Sequence, residues 1–219
     1  MIDIYIKILL IAIGIAAADK LHLKKKDGIV VGRTFPFKKV YWDYRRYFHL
    51  IITGVTGTGK SVLCENIVRG RNTVLINTWE TDFKTMTEAK RINDKDSILS
   101  FFKWLPNNSQ EVFIVIDELA SLMTDKEVAK EINLALQYSR HHQAHIIGIT
   151  PRVLANEVQC KALFPCRITG RLLQESDYRT ALGISINVAA VNLNMREFII
   201  VDNDIRRFKS ETCREYINT

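Results

Sequence analysis

The chain has 219 residues, 47% hydrophobic and 25% charged. That is length and apolar content for one folded domain with a sizeable core, and it excludes a largely disordered chain. A net charge of +7 favours approach of a polyanion without naming one, and Cys64, Cys160, Cys166 and Cys213 form no C-x-x-C pair, so reduced thiols in a cytosolic compartment are expected.

In chain order, Ile8 to Ala18 is an unbroken apolar run, extended backward through Ile6, Tyr5, Ile4 and Ile2. At about 17 residues it is at the short end of a membrane-spanning helix. Lys20, Lys24, Lys25 and Lys26 follow it, so the positive-inside rule puts the body of the protein in the cytoplasm. The expectation is a single-pass cell-membrane anchor over 1–19 and a basic linker over 20–27. A buried or interfacial helix and a signal peptide are the alternatives, although a signal peptide wants its charge before the apolar core. The remainder, 28–219, reads as one domain.

Gly28 to Val31 and Lys39 to Trp42 read as short strands separated by a turn around Pro36. Next comes an apolar run, His49 to Thr53, then Gly54-Val55-Thr56-Gly57-Thr58-Gly59-Lys60-Ser61, then a helix-like stretch to Val68. This is the Walker A pattern in its strand–loop–helix context. Its glycines let the backbone curl so that N–H groups face phosphate oxygens, and the helix dipole favours the same anion. Lys60 is expected to reach the β/γ-phosphates of ATP, and Ser61 to offer its hydroxyl to Mg²⁺.

Thr73 to Asn77 reads as a strand, and Thr85 to Arg91 and Asp96 to Trp104 as helices. Val112 to Ile116 is a five-residue apolar strand ending in Asp117-Glu118. After a Walker A loop this reads as Walker B, with Asp117 holding Mg²⁺ and Glu118 orienting or deprotonating the attacking water. A helix from about Asp125 to Arg140 precedes the strand His145 to Thr150. His141 and His145 have metal-like spacing but straddle the end of that helix and the start of that strand. The element order fits a P-loop ATPase whose strand after Walker B inserts between the other two, which would let Thr150 look at the γ-phosphate from between Lys60 and Asp117.

With these pieces in place, the chain resembles the FtsK/SpoIIIE DNA translocases of the HerA/FtsK superfamily. The resemblance runs from about Gly28 to Gly183, through His49 to Ser61, Phe113 to Met123, Arg140 to Arg152, and Cys166 to Gly183. In the last block Arg167-Ile168-x-x-Arg171, then Ser176-Asp177-Tyr178-Arg179-Thr180, is similar to that family's strand and following Asp-Ser-Arg-Thr segment. The resemblance implies an α/β, RecA-like P-loop ATPase of the ASCE type with a mostly parallel central sheet, working as a homo-oligomeric, usually hexameric, ring around double-stranded DNA. It also implies that Arg140 reaches the ATP of a neighbouring subunit, and that Arg167, Arg171 and Arg179 face either the pore DNA or the subunit interface.

Two departures stand out. The family's Thr-Gln-Arg-Pro is Thr150-Pro151-Arg152-Val153 here, and the acidic residue expected after the second strand is replaced by Asn77-Thr78-Trp79. A hairpin is expected from Glu197 to Val201 and Ile205 to Lys209, with little chain after it for a DNA-reading winged-helix domain. The expected function is a membrane-tethered, ATP-driven DNA motor of a plasmid, mobile element or virus, used in conjugative transfer or genome packaging. The alternatives are an ATPase for protein export or phage assembly, and a module that uses ATP only to close its ring.

Overall fold

The computed structural model describes residues 28–211 apart from 35, 37, 152–158 and 185–191. The expected anchor and linker, Arg152 and Cys213 lie outside the described residues. Among those residues no helix is long and apolar enough to cross a membrane.

Ten strands form one sheet: β1 (Ile29–Thr34), β2 (Lys38–Trp42), β3 (Leu50–Thr53), β4 (Thr73–Ile76), β5 (Lys90–Ile92), β6 (Val112–Ile116), β7 (Ala144–Thr150), β8 (Cys166–Thr169), β9 (Glu197–Val201) and β10 (Ile205–Lys209). Their order across the sheet is β2-β1-β10-β9-β8-β3-β7-β6-β4-β5. From β8 to β5 all pairings are parallel, and from β8 to β2 all are antiparallel. The strand after Walker B, β7, inserts between β3 and β6, and the hairpins near the two ends of the described chain join through β1 and β10.

The helices are α1 (Lys60–Val68), α2 (Lys95–Trp104), α3 (Leu119–Leu122), α4 (Lys126–Tyr138) and α5 (Glu175–Leu182). Because strand side chains alternate, β6 sends Phe113 and Val115 to one core and Val112, Ile114 and Ile116 to the other. The first core contains Leu63, Cys64, Ile67 and Val68 of α1; the second contains Ile98 and Phe102 of α2 with Val128, Ile132 and Leu136 of α4. Burial on both faces explains why β6 reads as an unbroken apolar run instead of an alternating one. Asp94 and Asp125 cap α2 and α4, their carboxylates accepting from Ser97 N–H and from the N–H groups of Glu127 and Val128.

One expected element is different. The stretch read as a helix, Thr85 to Arg91, is a turn-rich loop ending in β5. Tertiary hydrogen bonds override its helical propensity. Buried Glu65 on α1 accepts from both the N–H and the hydroxyl of Thr85. The Arg91 guanidinium donates to the carbonyls of Trp79, Asp82 and Phe83 and to the Thr78 hydroxyl. The loop is thereby wound around one side chain.

At the amino end of β3, buried His49 joins three elements. Its Nδ1 accepts from Ile146 N–H at 3.1 Å, so the ring proton is on Nε2, which donates to the Leu136 carbonyl at 3.1 Å. Ser139 Oγ lies 3.1 Å from the same nitrogen. A second ring proton would face the Ile146 N–H, donor against donor. Burial first, then the nearby His145 and Arg140, pushes the His49 pKa down to about 3. The folded state therefore binds fewer protons than the unfolded chain below pH 6.5. Stability present above about pH 6.5 is lost as pH falls toward 3, by about 2 kcal/mol at pH 5. Urea midpoints measured from pH 7.5 to 5 are expected to fall accordingly, and a midpoint that holds level to pH 5 would contradict the fixed neutral ring.

Candidate functional site

The site lies at the carboxyl ends of the central parallel strands. Thr53, Thr150 and Thr169 end β3, β7 and β8, paired in register across the sheet, and all are buried. Thr53 donates to the Thr169 hydroxyl at 2.8 Å. This row of hydroxyls forms the floor from which the loop after β3 rises.

The loop turns on glycines in conformations that side chains resist: Gly54 at φ +145°, Gly57 at +83° and Gly59 at +93°. Thr58 is buried and closes the loop internally, its N–H and its hydroxyl both directed at the Val55 carbonyl. Val55 N–H donates to the Arg171 carbonyl at 2.9 Å. Among the described residues, the N–H groups of Gly57, Gly59, Lys60 and Ser61 make no backbone hydrogen bond. The last two open α1, where such donors have no partner within the helix. A Cβ added at Gly57 would meet nothing within 4 Å, so that glycine serves backbone conformation, not crowding. This curled, donor-lined loop at a helix N-terminus fits a polyphosphate.

Lys60 Nζ donates to the Val55 carbonyl at 3.2 Å, which folds the side chain back over its own loop. Burial lowers its pKa, and the Asp117 and Glu118 carboxylates work against that shift. Asp117 is buried at the end of β6, where burial, then the charges of Asp82 and Glu118, raise its pKa to about 6 against the opposing effects of the Glu118 N–H and Lys60. The Glu118 N–H donates to Asp117 Oδ1 at 3.1 Å. Glu118 itself is exposed and left-handed at φ +52°, a strained conformation for a residue with a Cβ. Asn77, at φ +57°, donates from its side chain to the Asp117 carbonyl at 3.0 Å.

The structure thus brings Gly54 to Ser61, Asp117, Glu118 and Thr150 to one end of the sheet. It does not bring Arg140 there. That residue is exposed in a 3-10 turn, Ser139–His142, with its guanidinium 5.8 Å from the centre of the Phe48 ring. Phe48 precedes β3, so about 20 Å of strand separates Arg140 from its own phosphate loop. Arg171 and Arg179 are exposed, Arg179 loosely paired with Glu175 at 3.8 Å. Arg167 is half-buried; its Nε donates to the Phe164 carbonyl, and its guanidinium covers Gly183 so closely that a Cβ there would collide with it.

Three residues near the site carried no motif signal. Asp82 acts on Asp117 from the loop that Arg91 winds, and Arg196 donates its N–H to the Thr58 carbonyl at 3.0 Å. Asp82 could have been suspected only as a carboxylate a few residues beyond the position where the resemblance wants one. Arg91 was hidden in an apparent helix, and Arg196 in a stretch with no periodicity.

A parallel sheet with a curled glycine loop and an acidic pair at its carboxyl end defines a P-loop nucleotide hydrolase. Residues 50–163 match the family described as ATPase family associated with various cellular activities (AAA). That span exceeds half the chain: the chain belongs to this family and is an ATPase that binds and hydrolyses ATP. No curated protein matches by sequence. Among solved structures, the pCW3 conjugation coupling protein TcpA, in a monomer form with ATPgS, has a TM-score of 0.71 at 21% identity over 89% of this chain and 68% of its own. The cytoplasmic domain of the Thermomonospora curvata type VII secretion ATPase EccC has a TM-score of 0.66 at 16% identity over 84% of this chain and 28% of its own. The genome packaging NTPase B204 of Sulfolobus turreted icosahedral virus 2, in complex with AMPPCP, has a TM-score of 0.56 at 16% identity over 74% and 97%. At these identities the likeness is one of fold.

Replacing Glu118 by glycine removes a Cβ from a left-handed residue. The variant is expected to melt at or above the parent's temperature without nucleotide, gaining on the order of 0.5–1 kcal/mol. A clear drop in Tm would mean that the carboxylate holds the fold together, contrary to its exposed position.

Proposed function

We propose that the chain is the motor of a homo-oligomeric ring, hexameric in the simplest case, that couples ATP hydrolysis to movement of double-stranded DNA for a plasmid, mobile element or virus. The observation that carries the ring is the distance between Arg140 and its own phosphate loop. An exposed arginine at the opposite end of the sheet has no part in its own subunit's chemistry, but it is positioned for a neighbour's ATP if subunits pack head to tail. The likeness to a conjugation coupling protein and to a packaging NTPase supports DNA as the cargo. So do the basic net charge and the exposed Arg171 and Arg179.

In this reading the loop from Gly54 to Ser61 cradles the phosphates with the N–H groups of Gly57, Gly59, Lys60 and Ser61, and Lys60 leaves the Val55 carbonyl to neutralise them. Ser61 and Asp117 would hold Mg²⁺, a role that suits a buried carboxylate whose ionised form lacks a cation strong enough to balance it. Mg²⁺, when bound, neutralises charge on the β- and γ-phosphate oxygens. Glu118 takes the proton of the attacking water, Thr150 faces the γ-phosphate from the floor, and Arg140 of the next subunit neutralises charge as the bond breaks. Residues 1–19 would anchor the ring to the cell membrane and 20–27 would link it to the ATPase domain of 28–219, on the cytoplasmic side.

The expected outcomes are specific. Lys60→Ala loses nucleotide binding, and Glu118→Gln keeps binding while turnover falls by about 10²–10⁴-fold; unchanged turnover in the second would remove Glu118 from its role. Arg140→Ala loses turnover, yet an equal mixture of Arg140→Ala and Lys60→Ala subunits recovers part of it, because some interfaces then combine an intact loop with an intact arginine. Failure to recover in mixed rings would sink the shared-site arrangement. Long duplex DNA is expected to stimulate hydrolysis strongly at low salt and weakly at high salt. The likeness to a secretion ATPase favours protein export as the second reading, and hydrolysis by assembled rings that ignores DNA at both salts would select it.

A further inference from the structure

Arg196 occupies a backbone position that arginine does not favour. It is the third residue of the turn Asn194 to Glu197, closed by a bond of 3.1 Å from Glu197 N–H to the Asn194 carbonyl, and its φ is +64°. Such a position normally takes glycine or asparagine. The strain persists because the surroundings over-determine the turn. Arg196 N–H donates to the Thr58 carbonyl in the phosphate loop at 3.0 Å, and its carbonyl accepts from Ser210 N–H at 2.9 Å. The Glu197 carboxylate holds the turn from below, accepting from Asn194 N–H at 2.9 Å, the Asn194 side chain at 3.1 Å and Arg207 at 2.7 Å.

The side chain is what this strained position delivers. Arg196 is half-buried, and its Cγ lies 3.2 Å from where a Cβ of Gly59 would be, so its aliphatic part runs across the last glycine of the loop. Among the described residues its guanidinium makes no hydrogen bond or ion pair, and the acid beside it in sequence, Glu197, is already paired with Arg207. A side chain with an unpaired guanidinium therefore starts out along a loop in which, among the described residues, the N–H groups of Gly57, Gly59, Lys60 and Ser61 make no backbone hydrogen bond. A positive charge carried by hydrogen-bond donors on that side chain suits the oxygens of a phosphate.

We propose that Arg196 contacts the polyphosphate of the ATP held by its own subunit, adding a second cation beside Lys60 and tying the β9–β10 hairpin to the nucleotide. The proposal rests on the reading of Gly54 to Ser61 as the ATP site. The two arginines then act in different places, Arg140 in a neighbour's hydrolysis and Arg196 in its own subunit's binding.

The proposal is tested by calorimetric titration of the full-length chain with ADP and with AMPPCP. Arg196→Gln is expected to weaken binding about tenfold, the scale of one charge-assisted hydrogen bond, and Arg196→Lys to stay within about threefold of the parent. Unchanged affinity in Arg196→Gln overturns the proposal, as does an Arg196→Lys variant that is as weak as Arg196→Gln, since charge would then not be the cause. Arg196→Gly controls for folding: glycine suits the backbone, so its melting temperature without nucleotide should match or exceed the parent's while its nucleotide-induced rise shrinks. Lys60→Ala separates the two readings. If that variant still binds nucleotide, the loop assignment falls and Arg196 with it; if it does not bind while Arg196→Gln binds normally, only Arg196 falls.

Discussion

Two backbone hydrogen bonds fasten the phosphate loop to parts of the chain far away in sequence: Val55 N–H to the Arg171 carbonyl, and Arg196 N–H to the Thr58 carbonyl. A loop built on three glycines with positive φ has much conformational freedom to lose, and a polyphosphate binds well only if that loss has already occurred. The loop after β8 and the turn before β9 take up this freedom in the folded state. The sheet order follows from the same need, because β8 beside β3, and β9 beside β8, bring both anchoring segments to the edge of the loop. The antiparallel half of the sheet is thus a support for the loop as much as an extension of the core.

The opposite wall of the site works by charge. Asp82 and Glu118 crowd Asp117, Asp117 and Glu118 face the half-buried Lys60, and burial penalises the ionised form of Asp117 and the charged form of Lys60 alike. Folding such a cluster stores unfavourable electrostatics, which a cation and a polyphosphate bound together would relieve. The left-handed Glu118 and Asn77 add backbone strain in the same few ångströms. Strain and unbalanced charge sit together at the carboxyl ends of the strands, while at the amino ends the His49 ring is neutral with both its nitrogens hydrogen-bonded.

The parallel core, the phosphate loop and the acidic pair were legible in the sequence because each is local: an apolar run, a fixed glycine spacing, a run ending in two acids. The hairpin Glu197–Val201 with Ile205–Lys209 was legible to the residue, since Asp202-Asn203-Asp204 is turn chemistry between two runs of strand length. What failed is non-local. Thr85 to Arg91 has helical composition, yet Glu65 on α1 accepts from the Thr85 N–H, and Arg91 on β5 donates to the carbonyls of Asp82 and Phe83 just before the stretch. The half-burial of Arg167 against Gly183 could not be read either, because strand alternation cannot tell a helix-covered face from an open one. Arg196 escaped for the converse reason: a residue where glycine belongs shows itself only when φ is known.

The separation of the arginines bears on how a ring would transmit force. A neighbour's Arg140 would sense ATP from outside the subunit, and its turn is bonded into β3 and β7 through His49 and Ser139, at the far end of the same strands that carry the phosphate loop. Arg196 would sense ATP from inside, and its turn is continuous with β9 and β10 and, through β10, with the edge hairpin β1–β2. A change in the phosphates would pull on one end of β3 through the subunit's own chain and, through the next subunit, on the other end of that neighbour's β3. Packed strands move as rigid units instead of deforming continuously. Hydrolysis in one subunit would then shift the two β3 strands flanking an interface in a linked way, the coupling a motor requires and a ring that only closes on ATP does not.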